Sequence, residues 1–124
     1  MDIILSNVSD KPLYEQISMQ IKNLIMTGSL KEGDALPSMR QLAKELHISV
    51  ITTKRAYEEL EREGFLETST GRGSFVAGGN QEMLREQQLR QIEECLQKAV
   101  DLAKTSGIST DEVMDILHLL YEED

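Results

Sequence analysis

Two short helical patterns separated by a very short break constrain the fold of this 124-residue chain more than any other feature. Ser38 is a typical helix N-cap and Gln41 completes a capping box, which predicts a helix over 38–46. His47 follows, and His tolerates the positive φ of a tight turn better than most residues. A further apolar stripe predicts a helix over 50–63. Together these patterns predict a helix-turn-helix.

The segments on either side of this pair extend the pattern. Pro12 is well placed as the first residue of a helix, and apolar residues recur at helical spacing over 12–27. Residues 65–69 and 73–77 are rich in β-branched and aromatic residues and flank a glycine-containing tip, which predicts a β-hairpin. Helix, short helix, helix and hairpin is the order of a winged helix-turn-helix. We therefore expect a mainly α fold with a small two-stranded β wing over residues 1–78.

Residues 79–124 are predicted to form a separate helical tail. A glycine-rich break at 78–80 precedes a heptad-like stripe that predicts a helix over 81–105, and a capping box of Ser109 and Glu112 opens another helix. Two helices of this size cannot enclose a core alone, so their stripes must pack on the winged unit or on a second copy of the chain. We expect a homodimer. The dimerisation residues are predicted to be Leu89, Ile92, Leu96, Ala99, Ala103, Val113, Ile116, Leu117 and Leu120.

The net charge of −9 is unevenly distributed along the chain. Residues 78–124 hold eleven acidic and four basic groups, a net of −7, whereas residues 1–77 hold eleven acidic and nine basic groups, a net of −2. Within 40–55 the local charge is +3, from Arg40, Lys44, Lys54 and Arg55 against Glu45. Because phosphate neutralisation needs Lys and Arg, this local excess keeps a basic docking face compatible with an acidic chain.

Several functional classes are disfavoured by what the sequence lacks. No apolar run approaches the roughly 18 residues needed to span a bilayer, so we expect no membrane partner and a cytoplasmic location. Cys95 is the single cysteine and is expected to be buried and structural, with a redox sensor as the alternative. His118 lies at helical spacing from Asp115 and Glu122, a set that could bind a metal ion weakly, but a solvated helix face is the favoured interpretation. In the absence of any catalytic motif we expect no enzyme, no metal and no cofactor.

Motifs over about residues 10–77 resemble the DNA-binding domain of GntR-type bacterial regulators. The matching segments are PLYEQISMQIKNLIMTGSLKEGDALPSMRQLA and AYEELEREGFLETSTGRGSFVA. They combine Leu-Pro-Ser-x-Arg, a Leu-x-x-Glu-Gly helix ending and a Gly-x-Gly-x-Phe-Val wing in the family's order. The tail is similar in length and pattern to the short YtrA-type subgroup. The resemblance implies a homodimeric repressor that binds a palindromic operator in double-stranded DNA, often controlling its own operon together with ABC transporter genes.

The predicted DNA-binding residues fall into three groups along the winged unit. They are Ser38 and Arg40 at the start of the short helix, Thr52, Thr53, Lys54 and Arg55 on the recognition helix, and Gly71, Arg72 and Gly73 at the wing tip. Arg and Lys favour guanine acceptors in the major groove, and a wing-tip Arg can enter a minor groove. For each basic residue the alternative is a solvated surface charge, or for Arg40 a structural salt bridge. Four glutamates follow on the recognition helix, so its N-terminal part must face the DNA.

Val50 and Ile51 depart from the family's pattern. Many relatives carry Arg at the first of these positions, or Pro in the YtrA-type pattern, and a polar residue is common at the second. The set of base-reading residues implied by the resemblance is therefore incomplete in this chain. Tyr14 and Tyr57 lie on apolar stripes, which favours positions in the core over base-stacking platforms.

One other class of function remains open from the sequence. The winged domain could be a scaffold and the acidic tail a surface that binds another protein. Salt-dependent binding to duplex DNA separates this alternative from a DNA-binding regulator. The sequence leaves open an unidentified small-molecule effector, the operator, the regulated genes and the choice between repression and activation.

Overall fold

The computed structural model describes residues 1–78 and 81–122, with five helices and one two-stranded sheet among them. In chain order the elements are α1 (Leu13–Met26), α2 (Met39–Leu46), α3 (Val50–Arg62), β1 (Leu66–Ser69), β2 (Gly73–Val76), α4 (Gln81–Ser106) and α5 (Thr110–Glu122). This order confirms the mainly helical winged helix-turn-helix. Gly79 and Asn80, in the predicted break, lie outside the described residues. Within the described chain, none of the helices has the length and apolarity needed to cross a bilayer.

The core of the winged domain is built on one face of α1. Ile17, Ile21 and Ile25 recur every fourth residue, so they lie on one side of the helix, and each is at most 1% exposed. They pack with residues of the other helices and the hairpin, the largest of which are Leu42, Tyr57, Leu60, Phe65 and Leu66. The core therefore closes around α3, which contacts α1, α2 and β1.

The chain divides into two compact units, the first of which runs from Met1 to Leu84. This unit ends beyond the boundary after residue 78 that the sequence suggested. Leu84 is only 9% exposed and belongs to the core cluster, close to Gly64 at the end of α3. The first turn of α4 thus completes the core of the winged unit.

The junction between α2 and α3 is held by local hydrogen bonds. Ser38 Oγ accepts a hydrogen bond from the Gln41 backbone N–H at 3.1 Å, as the capping pattern predicts. The Gln41 side chain donates instead to Glu45, so the reciprocal half of the capping box is replaced by a contact along the helix. His47 ends α2 with a φ of 56°, the left-handed conformation predicted for this turn.

A short third segment supports the wing. β1 and β2 pair in antiparallel register, with Leu66 opposite Val76. The extended residues before α2 then add along β2, since Leu36 N–H donates to Ser74 O and Val76 N–H donates to Asp34 O, each at 2.9 Å. This pairing fixes the base of the wing to the segment that leads into α2.

The N-terminal arm is attached to α1 by glutamine side chains. Gln20 accepts a hydrogen bond from Ile4 N–H and donates one to Ile4 O, much as a neighbouring strand would. Gln16 makes the same kind of paired contact with Ser6. Ile3 can thereby reach the core, where it is 9% exposed.

The second compact unit, from Arg85 onward, is a pair of helices with little buried surface. Ile108 N–H donates to Ala103 O at 2.9 Å across the turn between α4 and α5, and Ala103 is 8% exposed. None of the described residues of α5 is buried. An open groove of about 270 Å³ runs between the helices, lined mainly by apolar side chains such as Leu96, Val100 and Val113.

Cys95 in α4 differs from the sequence-based expectation. It is exposed and not buried.

Candidate nucleic-acid interface

The N-termini of α2 and α3 have a charge environment that differs from that of the other helices. Among the five helices of the described chain, only these two lack an acidic residue in the first turn. A helix N-terminus carries a partial positive charge and unpaired backbone N–H groups, and both favour an approaching anion. The helix-turn-helix therefore presents two N-termini that suit phosphate oxygens.

The exposed side chains at the start of α3 combine apolar and basic groups. Val50 and Ile51 are 43% and 79% exposed, although both are apolar. Lys54 and Arg55 follow on the exposed side of the helix, and a surface depression is lined by Ile51, both of these cations and the glutamates beyond them. Exposed apolar side chains next to cations fit a groove of DNA, where thymine methyl groups and phosphates lie close together.

The two threonines predicted as contacts face different environments. Thr52 is half-buried, and its hydroxyl lies 3.0 Å from the hydroxyl of the N-cap Ser49. Thr53 is 0% exposed, and its hydroxyl donates to Ser49 O at 3.3 Å. The side chain of Thr53 therefore lies in the interior and is not part of the exposed face of α3, contrary to its prediction as a DNA contact.

Lys54 and Arg55 are adjacent in sequence but have different partners. Lys54 Nζ lies 3.8 Å from the Glu58 carboxylate in an exposed pair along α3. The Arg55 guanidinium lies 3.8 Å from the ring centroid of Tyr14, near the start of α1. The positive charge of Lys54 is thus partly compensated, whereas Arg55 rests on a neutral aromatic face.

Ser38 and Arg40, the predicted contacts on α2, are both exposed. The position of α2 is fixed by Tyr57 of α3, whose hydroxyl donates to Pro37 O, just before α2, at 2.7 Å. Burial, with a smaller contribution from the negative charge of Glu45, raises the pKa of Tyr57 well above its ordinary value. The Tyr57 phenol is therefore a structural donor that holds the start of α2 against α3.

Two glutamates at the C-terminal end of α3 form ion pairs within the winged unit. Glu63 pairs with Lys22 of α1 at 2.7 Å, and Glu59 pairs with Arg62. These ion pairs occupy the C-terminal half of the helix, away from the exposed cations near its start. The charge distribution along α3 is therefore asymmetric, with the basic part nearest the N-terminus.

The wing tip carries its candidate residues into solvent. Gly71, Arg72 and Gly73 are all exposed, and Arg72 N–H donates to Ser69 O to close the turn. Both glycines have positive φ, 81° and 93°, which other residues adopt only with strain. The tip is thus built to project Arg72.

The predicted dimerisation residues divide between two environments in the second unit. Ala103 is buried, and Val113 and Leu117 are half-buried between α4 and α5, so these three stabilise the helix pair itself. The remaining six are exposed, and they are Leu89, Ile92, Leu96, Ala99, Ile116 and Leu120.

Tyr14 is the one residue at this surface that sequence reasoning assigned elsewhere. It was expected in the core, and it does pack against the core cluster, but it is only half-buried and its ring also carries the Arg55 guanidinium. No spacing rule connects the two residues, because the contact forms only when α1 packs across α3. Within the described residues, no group of three or more His, Cys, Asp or Glu side chains could hold a metal ion.

Comparison with known proteins places this chain in a family. The family of bacterial regulatory proteins called gntR matches residues 13–76. The HTH-type transcriptional repressor YtrA of Bacillus subtilis (strain 168) is 38% identical over 105 residues, covering 85% of this chain and 81% of that protein.

Two solved structures extend the comparison to three dimensions. YtrA from Sulfolobus acidocaldarius, a GntR-family transcription factor, has a TM-score of 0.62 at 33% identity, covering 98% of this chain and 97% of that one. The AraR DNA-binding domain in complex with operator ORX1 has a TM-score of 0.54 at 26% identity, covering 60% of this chain and 92% of that one. These relatives are transcription regulators and not enzymes. The chain described here therefore belongs to the GntR family of bacterial regulatory proteins, as a short member of the YtrA type.

Proposed function

We propose that this protein is a homodimeric repressor that binds a palindromic DNA operator in the cytoplasm. The observation that carries the proposal is the helix-turn-helix, in which neither α2 nor α3 has an acidic residue in its first turn and Lys54 and Arg55 are exposed near the start of α3. Relatives named as regulators and a structural neighbour bound to an operator support the same role. The YtrA-type resemblance further suggests control of its own operon together with ABC transporter genes.

In this proposal the N-terminal half of α3 enters the major groove. The ion-paired glutamates of its C-terminal half stay clear of the phosphates, since close approach of like charges costs energy. Ser38, Arg40 and Thr52 flank the groove from the helix-turn-helix. Gly71, Arg72 and Gly73 let the wing contact an adjacent minor groove.

Val50 and Ile51 give the proposed interface a specific chemical preference. Their side chains cannot donate hydrogen bonds, but both are exposed at the start of the recognition helix. Apolar side chains recognise the thymine methyl group in the major groove. We therefore expect an operator with a thymine at this contact, and weaker binding when uracil replaces that base.

The exposed apolar residues of the second unit support dimerisation. Leu89, Ile92 and Leu96 are between 44% and 52% exposed along one stripe of α4, and Leu120 of α5 is 62% exposed. Contiguous apolar surface of this kind is covered in most stable proteins. A second copy of the chain would cover it and would bring two recognition helices to a two-fold symmetric site.

Titration against genomic DNA tests the proposal. Fragments bound by the purified protein are selected from the source genome, and affinity is then measured for the best fragment, its single-base variants and random duplex at several salt concentrations. A sequence-specific regulator binds its operator at least about 1,000-fold more tightly than random duplex. Equal affinity for all duplexes contradicts the proposed sequence-specific regulator, and the absence of salt-dependent binding favours a protein-binding scaffold.

A further inference from the structure

The two adjacent cations of the recognition helix differ in how their charge is held. Lys54 is a point charge that shares an exposed contact with Glu58 on its own helix. Arg55 is held by an aromatic ring on another helix, at 3.8 Å from the Tyr14 centroid. A carboxylate partner neutralises a cation, whereas an aromatic face orients it and leaves its full charge available.

The geometry of the stack leaves the donors of Arg55 free to bind. A guanidinium is planar and carries its five N–H groups around its edge. The guanidinium carbon of Arg55 lies 3.8 Å from the centroid of the Tyr14 ring, and Arg55 makes no hydrogen bond or ion pair with the described residues, so its N–H groups are not used by the stack. Phosphate oxygens are recognised by that edge, often through two parallel hydrogen bonds. The stack therefore fixes the side chain without consuming its hydrogen bonds.

The contact adds little to the attachment of α1 to α3, which is already secured elsewhere. Ile17, Ile21 and Ile25 bury one face of α1 in the core, and Lys22 pairs with Glu63 at the other end of α3. Exposed cation–aromatic pairs contribute modestly to folding. Tyr14 packs against the core with part of its side chain, but core packing alone does not require its ring to lie against a cation, and a role in orienting Arg55 accounts for that contact.

We propose that Tyr14 is a positioning residue for DNA binding, and that it holds Arg55 ready to contact a backbone phosphate. This inference rests on the proposed function, because it names the group that one cation of the interface recognises. A phosphate contact carries no base information, so the pair sets affinity and salt dependence and leaves sequence preference to other residues.

The test is a double-mutant cycle on the full chain with operator and random duplex. Arg55→Gln removes the charge and should weaken binding to both duplexes alike, by about 10-fold for a charged contact. It should also lower the slope of log affinity against log salt by about one unit for each phosphate that Arg55 neutralises. Tyr14→Leu keeps an apolar side chain but removes the ring, and should weaken both by about threefold.

The decisive measurement is the double variant. If Tyr14 acts through Arg55, Tyr14→Leu has no further effect on DNA affinity in the Arg55→Gln background, and Tyr14→Phe binds like wild type. Lys22→Gln is the matched control, because Lys22 lies over the Phe65 ring in the same unit but outside the proposed interface. This variant should leave the salt slope unchanged.

Two results overturn the inference. One is an equal loss of affinity from Tyr14→Leu in the wild-type and Arg55→Gln backgrounds. The other is wild-type affinity and salt slope in the Arg55→Lys variant. This surface substitution keeps the charge but replaces the guanidinium, so it tests the stack even if Tyr14→Leu fails to fold. If the wild-type protein binds operator and random duplex equally, that result contradicts the proposed function as a sequence-specific regulator. If the wild-type protein prefers its operator but the double-mutant cycle shows no coupling between Tyr14 and Arg55, only the role of Tyr14 is contradicted.

Discussion

The two compact units of this protein use apolar residues in opposite ways. In the first unit Ile17, Ile21 and Leu60 are fully buried, so the core is complete within one chain. In the second unit Ile92 and Leu120 remain more than half exposed. Burial of apolar surface is the main favourable term in folding. The first unit therefore buries its apolar residues within one chain, whereas the second leaves apolar surface exposed.

The largest expected effect comes from truncating matched leucines in the two units. Leu60→Ala removes a fully buried side chain and should lower the free energy of unfolding by about 2–5 kcal/mol. Leu120→Ala removes a side chain that is 62% exposed and should have a small effect on a monomer. Chemical denaturation at several protein concentrations measures both. If both variants lost the same free energy of unfolding at every protein concentration, the proposed difference between the two units would be wrong.

A charge in the exposed stripe of α4 tests whether the second unit acts through a partner. Ile92→Asp should dissociate the proposed dimer and weaken operator affinity about 100-fold, since two linked DNA contacts bind more tightly than one. Sedimentation and operator titration report the two effects separately. Glu93→Gln, at the next position of α4 and also exposed, is the control. Unchanged dimerisation by a folded Ile92→Asp protein would assign the stripe another role.

Two proposed contact residues of the first unit, Arg40 and Lys54, should affect DNA binding without changing oligomeric state. If Arg40 binds a guanine edge, Arg40→Ala costs about 1–3 kcal/mol on the operator and relaxes preference at one base pair per half-site. If Lys54 binds phosphate, Lys54→Ala weakens binding to all sequences and lowers the salt slope by about one unit per contact. Titration of single-base operator variants distinguishes the two. A dimer that dissociates in either variant would contradict the separation of tasks between the units.

The smallest expected effect concerns the buried phenol of the first unit. Tyr57→Phe should lower the free energy of unfolding by about 1 kcal/mol, because Pro37 O is left without its donor. Burial raises the pKa of Tyr57 in the folded protein above its unfolded value of 10.0, so folding favours the neutral phenol. This stability is complete below about pH 10 and is lost as the pH rises further. Alkaline denaturation should affect wild type more than Tyr57→Phe, and identical alkaline profiles would show that the phenol does not contribute.

Local sequence signals were sufficient for the secondary structure of the first unit. Ser38 predicted the start of α2 and His47 predicted its left-handed end, because caps and turns depend on residues that are close in sequence. The helix predicted over 50–63 corresponds to Val50–Arg62. Apolar periodicity over 12–27 likewise predicted α1, and Ile17 and Ile21 of that stripe are fully buried, since such a stripe marks the face of a helix that avoids water.

Other properties depended on contacts between residues far apart in the chain. The burial of Thr53, the addition of Leu84 to the core and the stack of Arg55 on Tyr14 all required α1, α3 and α4 to be placed in space. A helical pattern shows that a position faces inward or outward, but it does not show which neighbour covers it. The sequence by itself therefore determined the order of the elements, their ends and the family of the protein. Tertiary structure decided which candidate side chains reach the surface and how each is held, because packing brings together residues that no local pattern connects.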